Sequence, residues 1–121
     1  MRRVLVAEDD TFLAQSYKMG LEKDGYTVEI ANDGNEVLEK VEEFKPDVII
    51  LDILMPNKNG IDTLKHLKKD NKTAKIPVIV ATNVDDRDTQ DKCMEYGANE
   101  YITKANISIS EILEKCKKYA A

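Results

Sequence analysis

Val48-Ile49-Ile50-Leu51-Asp52 sets four apolar side chains in a row and ends them on a carboxylate. A continuous apolar run this short is strand-sized, and its composition is that of a strand buried on both faces. Such strands belong to parallel sheets covered by helices on either side. The flanking sequence has the matching period. Upstream, Val37, Leu38, Val41 and Phe44 recur at helical spacing, opened by Asp33-x-x-Glu36 in capping-box spacing and closed by Pro46. Downstream, Ile61, Leu64 and Leu67 repeat every three to four residues.

The same alternation runs outward to both ends. Val4–Ala7 is a wholly apolar run, and Leu13, Tyr17, Gly20 and Leu21 follow at helical spacing until Gly25. Tyr26–Ala31 alternates, with Val28 and Ile30 on one side. Pro77 introduces Val78-Ile79-Val80-Ala81, and Gln90, Cys93, Met94 and Gly97 form a weaker helical stripe. Tyr101-Ile102-Thr103-Lys104 reads as a mixed strand. Ile109, Ile112, Leu113 and Cys116 make a last helix, started by Ser108-x-x-Glu111 and ending in Lys115, Lys117 and Lys118.

Five strands alternating with five helices predict an α/β, doubly wound (βα)5 fold with a five-stranded parallel sheet. The first, third and fourth strands are unbroken hydrophobic runs, so they belong inside; the second and fifth carry polar residues and suit the edges. The order 2-1-3-4-5, which is flavodoxin-like, satisfies this. Ligands then bind beyond the carboxyl ends of the strands, where the order reverses between the first and the third.

Length and charge narrow the function. At 121 residues, 42% hydrophobic and 34% charged, the chain is one domain with one core. A net charge of −5 argues against direct nucleic-acid binding, which needs a basic footprint, and fits an acidic site that collects a cation. Met1-Arg2-Arg3 leads straight into a run too short for a secretory or membrane segment, so the expected location is cytoplasmic. Cys93 and Cys116 are expected to pack as small hydrophobes rather than pair. The single histidine, His66, and the lack of Cys-x-x-Cys exclude a zinc pattern.

Glu8, Asp9 and Asp10 follow the first strand and Asp52 the third, so three or four carboxylates converge on one crevice. Two carboxylates about 5 Å apart repel by roughly 3 kcal/mol at an effective dielectric of about 20. A bound divalent cation or a protonated member relieves that, and oxygen-only ligands select a hard cation such as Mg²⁺. The competing reading makes Asp9 or Asp10 the N-cap of the first helix. It accounts for one Asp and leaves Asp52 unexplained. Thr82 ends the fourth strand and Lys104 the fifth. Singly they read as a turn residue and a solvated edge lysine; together with the acids they pair a carboxylate nucleophile with a hydroxyl donor and a cation.

Val6-Ala7-Glu8-Asp9-Asp10, Asp52-Ile53-Leu54-Met55-Pro56-Asn57-Lys58-Asn59-Gly60, Val80-Ala81-Thr82 and Tyr101-Ile102-Thr103-Lys104 carry a family resemblance. Over essentially all of residues 1–121 the chain resembles the receiver domain of two-component response regulators, and is similar to their single-domain chemotaxis members. The resemblance implies a phosphorylation-activated switch in which Asp52 accepts a phosphoryl group from the phosphohistidine of a histidine kinase or phosphotransfer protein. It implies Mg²⁺ held by Asp9, Asp52 and the backbone carbonyl of Leu54, with Glu8 acting through water. Lys104 would pair with the phosphoryl oxygens, Thr82 would swing in to bond one of them, and Tyr101 would be the switch aromatic that follows Thr82. Output to a downstream protein would use the face formed by the fourth helix, fifth strand and fifth helix. By the same resemblance the chain is a monomer or weak dimer and no enzyme beyond catalysing its own phosphorylation and dephosphorylation.

Two alternatives on the same fold are a phosphorylation-independent interaction module and the receiver part of a larger transcription regulator. Because the chain ends just after its fifth helix, a free-standing regulator is the expectation. Enzyme readings fit less well. An aspartyl phosphatase would want a second Asp where Leu54 stands, and a flavin phosphate would be repelled by Glu8-Asp9-Asp10. The chain also departs from the family it resembles. Ala105 replaces the proline usual after the lysine; a non-proline cis bond costs about 2.5 to 4 kcal/mol, so a trans peptide and a rearranged loop are predicted. Asn83 is bulkier than the small residue common there and is expected to narrow access for small phosphodonors. Leu54 and Val84 are apolar and unable to orient a water, which predicts slow self-dephosphorylation. His66 is expected on the outer face of the third helix. Gly60 is expected to permit close approach where that helix starts.

Overall fold

A computed structural model describes residues 2–120. The strands are β1 (Arg3–Ala7), β2 (Thr27–Ala31), β3 (Val48–Leu51), β4 (Val78–Thr82) and β5 (Glu100–Thr103). The helices are α1 (Thr11–Lys23), α2 (Gly34–Phe44), α3 (Gly60–Lys69), α4 (Arg87–Glu95) and α5 (Ile109–Ala120). All four strand pairings are parallel and the order is β2-β1-β3-β4-β5, as the strand compositions predict. The pairings Ala7↔Ala31 and Ala7↔Leu51 bring the carboxyl ends of β2, β1 and β3 level.

Alternation along the strands sorts the interior into two layers. Leu5, Ile49, Leu51, Val78 and Val80 face Val37, Val41, Phe44, Leu64, Leu67 and Cys93 of α2, α3 and α4. Val4, Val6, Ile50, Ile79 and Ile102 face Tyr17, Leu21, Ile112, Leu113 and Cys116 of α1 and α5. Each fully buried Leu or Ile contributes about 1.5 to 3 kcal/mol, so the two layers supply most of the drive to fold. The cysteines are free, buried and on opposite sides of the sheet.

Side-chain caps fix where four of the helices begin. Asp10 accepts from the Leu13 N–H at 3.1 Å, Asp33 from Glu36 at 2.9 Å, Asn59 from Asp62 at 3.0 Å and Asp86 from Thr89 at 2.8 Å. At α5, Ser108 and Glu111 form a complete box: Ser108 Oγ accepts from the Glu111 N–H, and Glu111 Oε1 from the Ser108 N–H. At α2 the box is displaced, since Glu36 Oε1 accepts from Asn32 rather than Asp33.

The α4 stripe is narrower than its spacing suggests. Only Cys93 of that helix is buried, and Met94 is 45% exposed. A nine-residue helix carrying Asp88, Asp91, Lys92 and Glu95 has too few apolar positions for a full face, and Tyr96 and Ala98 beyond its end complete the packing. His66 is exposed on α3. Among the described residues no helix is long and apolar enough to cross a membrane.

Candidate functional site

The site forms where β1, β3 and β5 run out at one edge of the sheet. Glu8 and Asp52 each follow directly on the last residue of a buried strand, so the backbone delivers their carboxyls into nearly dry surroundings; Glu8 is 3% exposed and Asp52 6%. Asp9 stands exposed beside them. One carboxylate oxygen from each of Glu8, Asp9 and Asp52 lies within 4.8 Å of the others. Asp10 is not in this group. It caps α1, so the capping reading holds for Asp10 while three carboxylates converge with it left out.

Lys104 closes the site from β5. Its ammonium donates to Asp52 Oδ2 at 2.7 Å and to Glu8 Oε1, and its side chain is 11% exposed. The remaining carboxylate oxygens have backbone partners: the Leu54 N–H donates to Asp52 Oδ1 at 3.0 Å and the Asp10 N–H to Glu8 Oε2 at 3.1 Å. Burial pushes the Glu8 carboxyl above its ordinary pKa, and Lys104 offsets that only in part. For Lys104 burial works downward, yet hydrogen bonds to Asp52 and Glu8 outweigh it and hold the ammonium pKa above its usual value. Lys104 is therefore a firm counter-charge, and the group as a whole keeps a negative excess.

Ala105 does not displace that lysine. No cis peptide occurs among the described residues, and Lys104–Asn106 form a single 3-10 turn that leads by way of Ile107 into α5. The trans bond matches the reading from the sequence, and Lys104 still reaches both acids.

Thr82, at the end of β4, is fully buried, and its Oγ1 accepts from the Val84 N–H at 3.3 Å. Tyr101, half-buried on β5, donates its hydroxyl to the Val84 carbonyl oxygen at 2.6 Å. One residue, Val84, thus links Thr82 and Tyr101, a link the sequence did not announce because both bonds go to backbone. Leu54 is 56% exposed and Asn83 is also exposed, so both border the site from the solvent side.

The loop after Asp52 is held from below. The Gly34 N–H donates to the Lys58 carbonyl at 3.1 Å, and Asn57, with a left-handed φ of 65°, donates from its amide to Asp33 at 2.7 Å. A Cβ at Gly60 would stand 2.5 Å from the Asp52 carbonyl oxygen and against the Ile53 backbone. Glycine there lets α3 start tight against the loop that follows Asp52.

A family model described as the response regulator receiver domain matches residues 4–117. The chain belongs to the response regulator receiver domain family. Solved receiver domains are closely similar in shape. The receiver domain of the Francisella response regulator 1452 is 32% identical, with 99% of this chain and 97% of that one covered and a TM-score of 0.88. A CheY-like receiver domain protein from Methanospirillum hungatei JF-1 is 30% identical, with 98% and 92% covered and a TM-score of 0.89. The non-phosphorylated HemR receiver domain from Leptospira biflexa is 28% identical over 100% of this chain and 95% of that one, with a TM-score of 0.89. Receiver domains use Mg²⁺ at an acidic pocket, and here the donor set fits: Glu8, Asp9 and Asp52 offer only oxygen, carry excess negative charge and lie close enough to share one small cation. They also work with histidine kinases or phosphotransfer proteins and with downstream targets.

Proposed function

We propose that this receiver domain is a switch set by phosphorylation of Asp52. The observation that carries the reading is Asp52 itself, a buried carboxylate directly after β3 with Lys104 at 2.7 Å and two further acids in reach. An Asp52 oxygen attacks the phosphorus of a phosphohistidine on a kinase or phosphotransfer protein. The P–N bond breaks, and the pair of electrons leaves with the imidazole nitrogen. Mg²⁺, held by Asp9, Asp52 and the Leu54 carbonyl with Glu8 acting through water, would supply neutralisation of the transferring oxygens. Lys104 then pairs with the phosphoryl group, which brings about 1.5 to 2 new negative charges. Beyond that self-modification the chain is no enzyme.

The readout runs through Val84. Thr82 donates to a phosphoryl oxygen by rotating about one bond, and in doing so gives up the Val84 N–H. The Tyr101 hydroxyl is tied to the same residue's carbonyl, so the β4–α4 loop and Tyr101 shift together and alter the α4, β5 and α5 face offered to a partner. Phe12, 80% exposed two residues after the α1 cap, and Leu54 give the rim of the site apolar contact area for the phosphodonor protein.

Beryllofluoride with Mg²⁺, a stand-in for the phosphoryl group, tests the reading. The Tyr101 and Val84 NMR signals are expected to shift in the native chain and to stay fixed in Asp52→Asn. An unchanged Tyr101 in the native chain would instead mark a phosphorylation-independent interaction module.

A further inference from the structure

Tyr17 is the one described buried side chain whose polar atom has no hydrogen-bond partner; it is 1% exposed on the inner face of α1. Native proteins rarely leave a buried hydroxyl unsatisfied, and each one that they do leave calls for an explanation, a functional role among them. Its location says which role. Val6, Ile50 and Ile102 share the core layer with Tyr17. Glu8, Asp52 and Lys104 come two residues after those three, just past the ends of β1, β3 and β5, so the core layer that holds Tyr17 leads up to the site. Burial first, and then the charges of Lys104, Glu8 and Asp52, act on this hydroxyl and leave its pKa pushed up to about 12. It is therefore a neutral group able both to accept and to donate.

We propose that the Tyr17 hydroxyl is a positioning group for Lys104, accepting a hydrogen bond from the ammonium once Lys104 leaves Glu8 for a phosphoryl group on Asp52. An ammonium has three hydrogens, and here two of them go to Glu8 and Asp52. When Lys104 turns toward phosphoryl oxygens, the bond to Glu8 is lost inside a nearly dry site, and the Tyr17 hydroxyl replaces it as acceptor. The orphaned hydroxyl of the resting state becomes a partner of the loaded state. This inference rests on the switch reading above.

Tyr17→Phe keeps the ring and removes only the hydroxyl. In urea unfolding without phosphodonor the variant is expected to be as stable as the native chain or more so, because an unsatisfied polar atom is gone. Its labelling by acetyl phosphate at saturating Mg²⁺ is expected to slow by about tenfold, the worth of one hydrogen bond to a charged group. The Mg²⁺ concentration for half-maximal rate should not move. With beryllofluoride and Mg²⁺, the Lys104 ammonium should give a protected ¹⁵N–¹H signal in the native chain that is shifted or lost in Tyr17→Phe. A Phe variant with native labelling rate and an unaltered Lys104 signal would overturn the assignment. If the native chain itself takes no label, the switch reading fails first, and the role of Tyr17 falls with it.

Discussion

Lys104→Ala is expected to destabilise the metal-free protein by about 3 kcal/mol, the usual scale for removing one partner of a buried ion pair. The cause is local. Glu8 and Asp52 are both buried and both lean on the same ammonium, and without it two carboxylates face each other with only backbone N–H groups to satisfy them. The same loss frees the site for cations. Mg²⁺ no longer competes with a resident positive charge, so it should bind the variant more tightly and restore much of the lost stability, by mass action on the folded state. Urea unfolding with and without Mg²⁺ measures both effects. Equal midpoints for native and variant chains in the absence of metal would show that the buried triad does not carry the charge balance described.

The second large effect concerns the lifetime of the loaded state. Hydrolysis of an acyl phosphate needs a water held in line with phosphorus, and the sequence places Leu54 and Val84 two residues after Asp52 and Thr82 as the side chains expected to flank it. Leu54 projects into solvent beside Asp52, and neither residue has a polar side-chain atom. Leu54→Asn combined with Val84→Glu supplies a donor and an acceptor at the rim without touching Asp52 or Lys104. Positioned acid–base groups typically contribute about 10²-fold or more, so the phosphoryl half-life in the double variant should shorten by at least about tenfold. Decay of labelled protein after removal of phosphodonor checks this. An unchanged half-life would mean that access of water, rather than its orientation, limits the native rate.

Much of this architecture is written in short-range pattern. Val48–Leu51 and Val78–Ala81 are apolar at every position because both faces of their strands are covered, and the polar Thr27, Glu29 and Glu100 mark the edges. That contrast sets the strand order, and the order alone brings Glu8, Asp52 and Lys104 to one edge. Three features escaped. The resting partners of Lys104 are set by which oxygens other groups leave open, and a residue pattern does not encode that. The Val84 bridge uses backbone atoms, which every residue has, so no side-chain signal marks it. Tyr17 fits a helical stripe by virtue of its ring, and the stripe says nothing about the hydroxyl at its tip. Met94 failed in the opposite way, since spacing put it in a helical stripe while a short, charged α4 exposes it; Asp10, which the sequence left open between site and cap, is the cap.

The central claim is that the Asp52 carboxylate receives phosphorus with the help of Mg²⁺. Peptide-level mass spectrometry after incubation with acetyl phosphate, run with Mg²⁺ and with the metal chelated, tests it most directly. The account predicts one phosphoryl group, located on the peptide containing Asp52, formed with Mg²⁺ and absent both under chelation and in Asp52→Asn. A phosphoryl group found on another residue, or uptake by Asp52→Asn equal to that of the native chain, would contradict it.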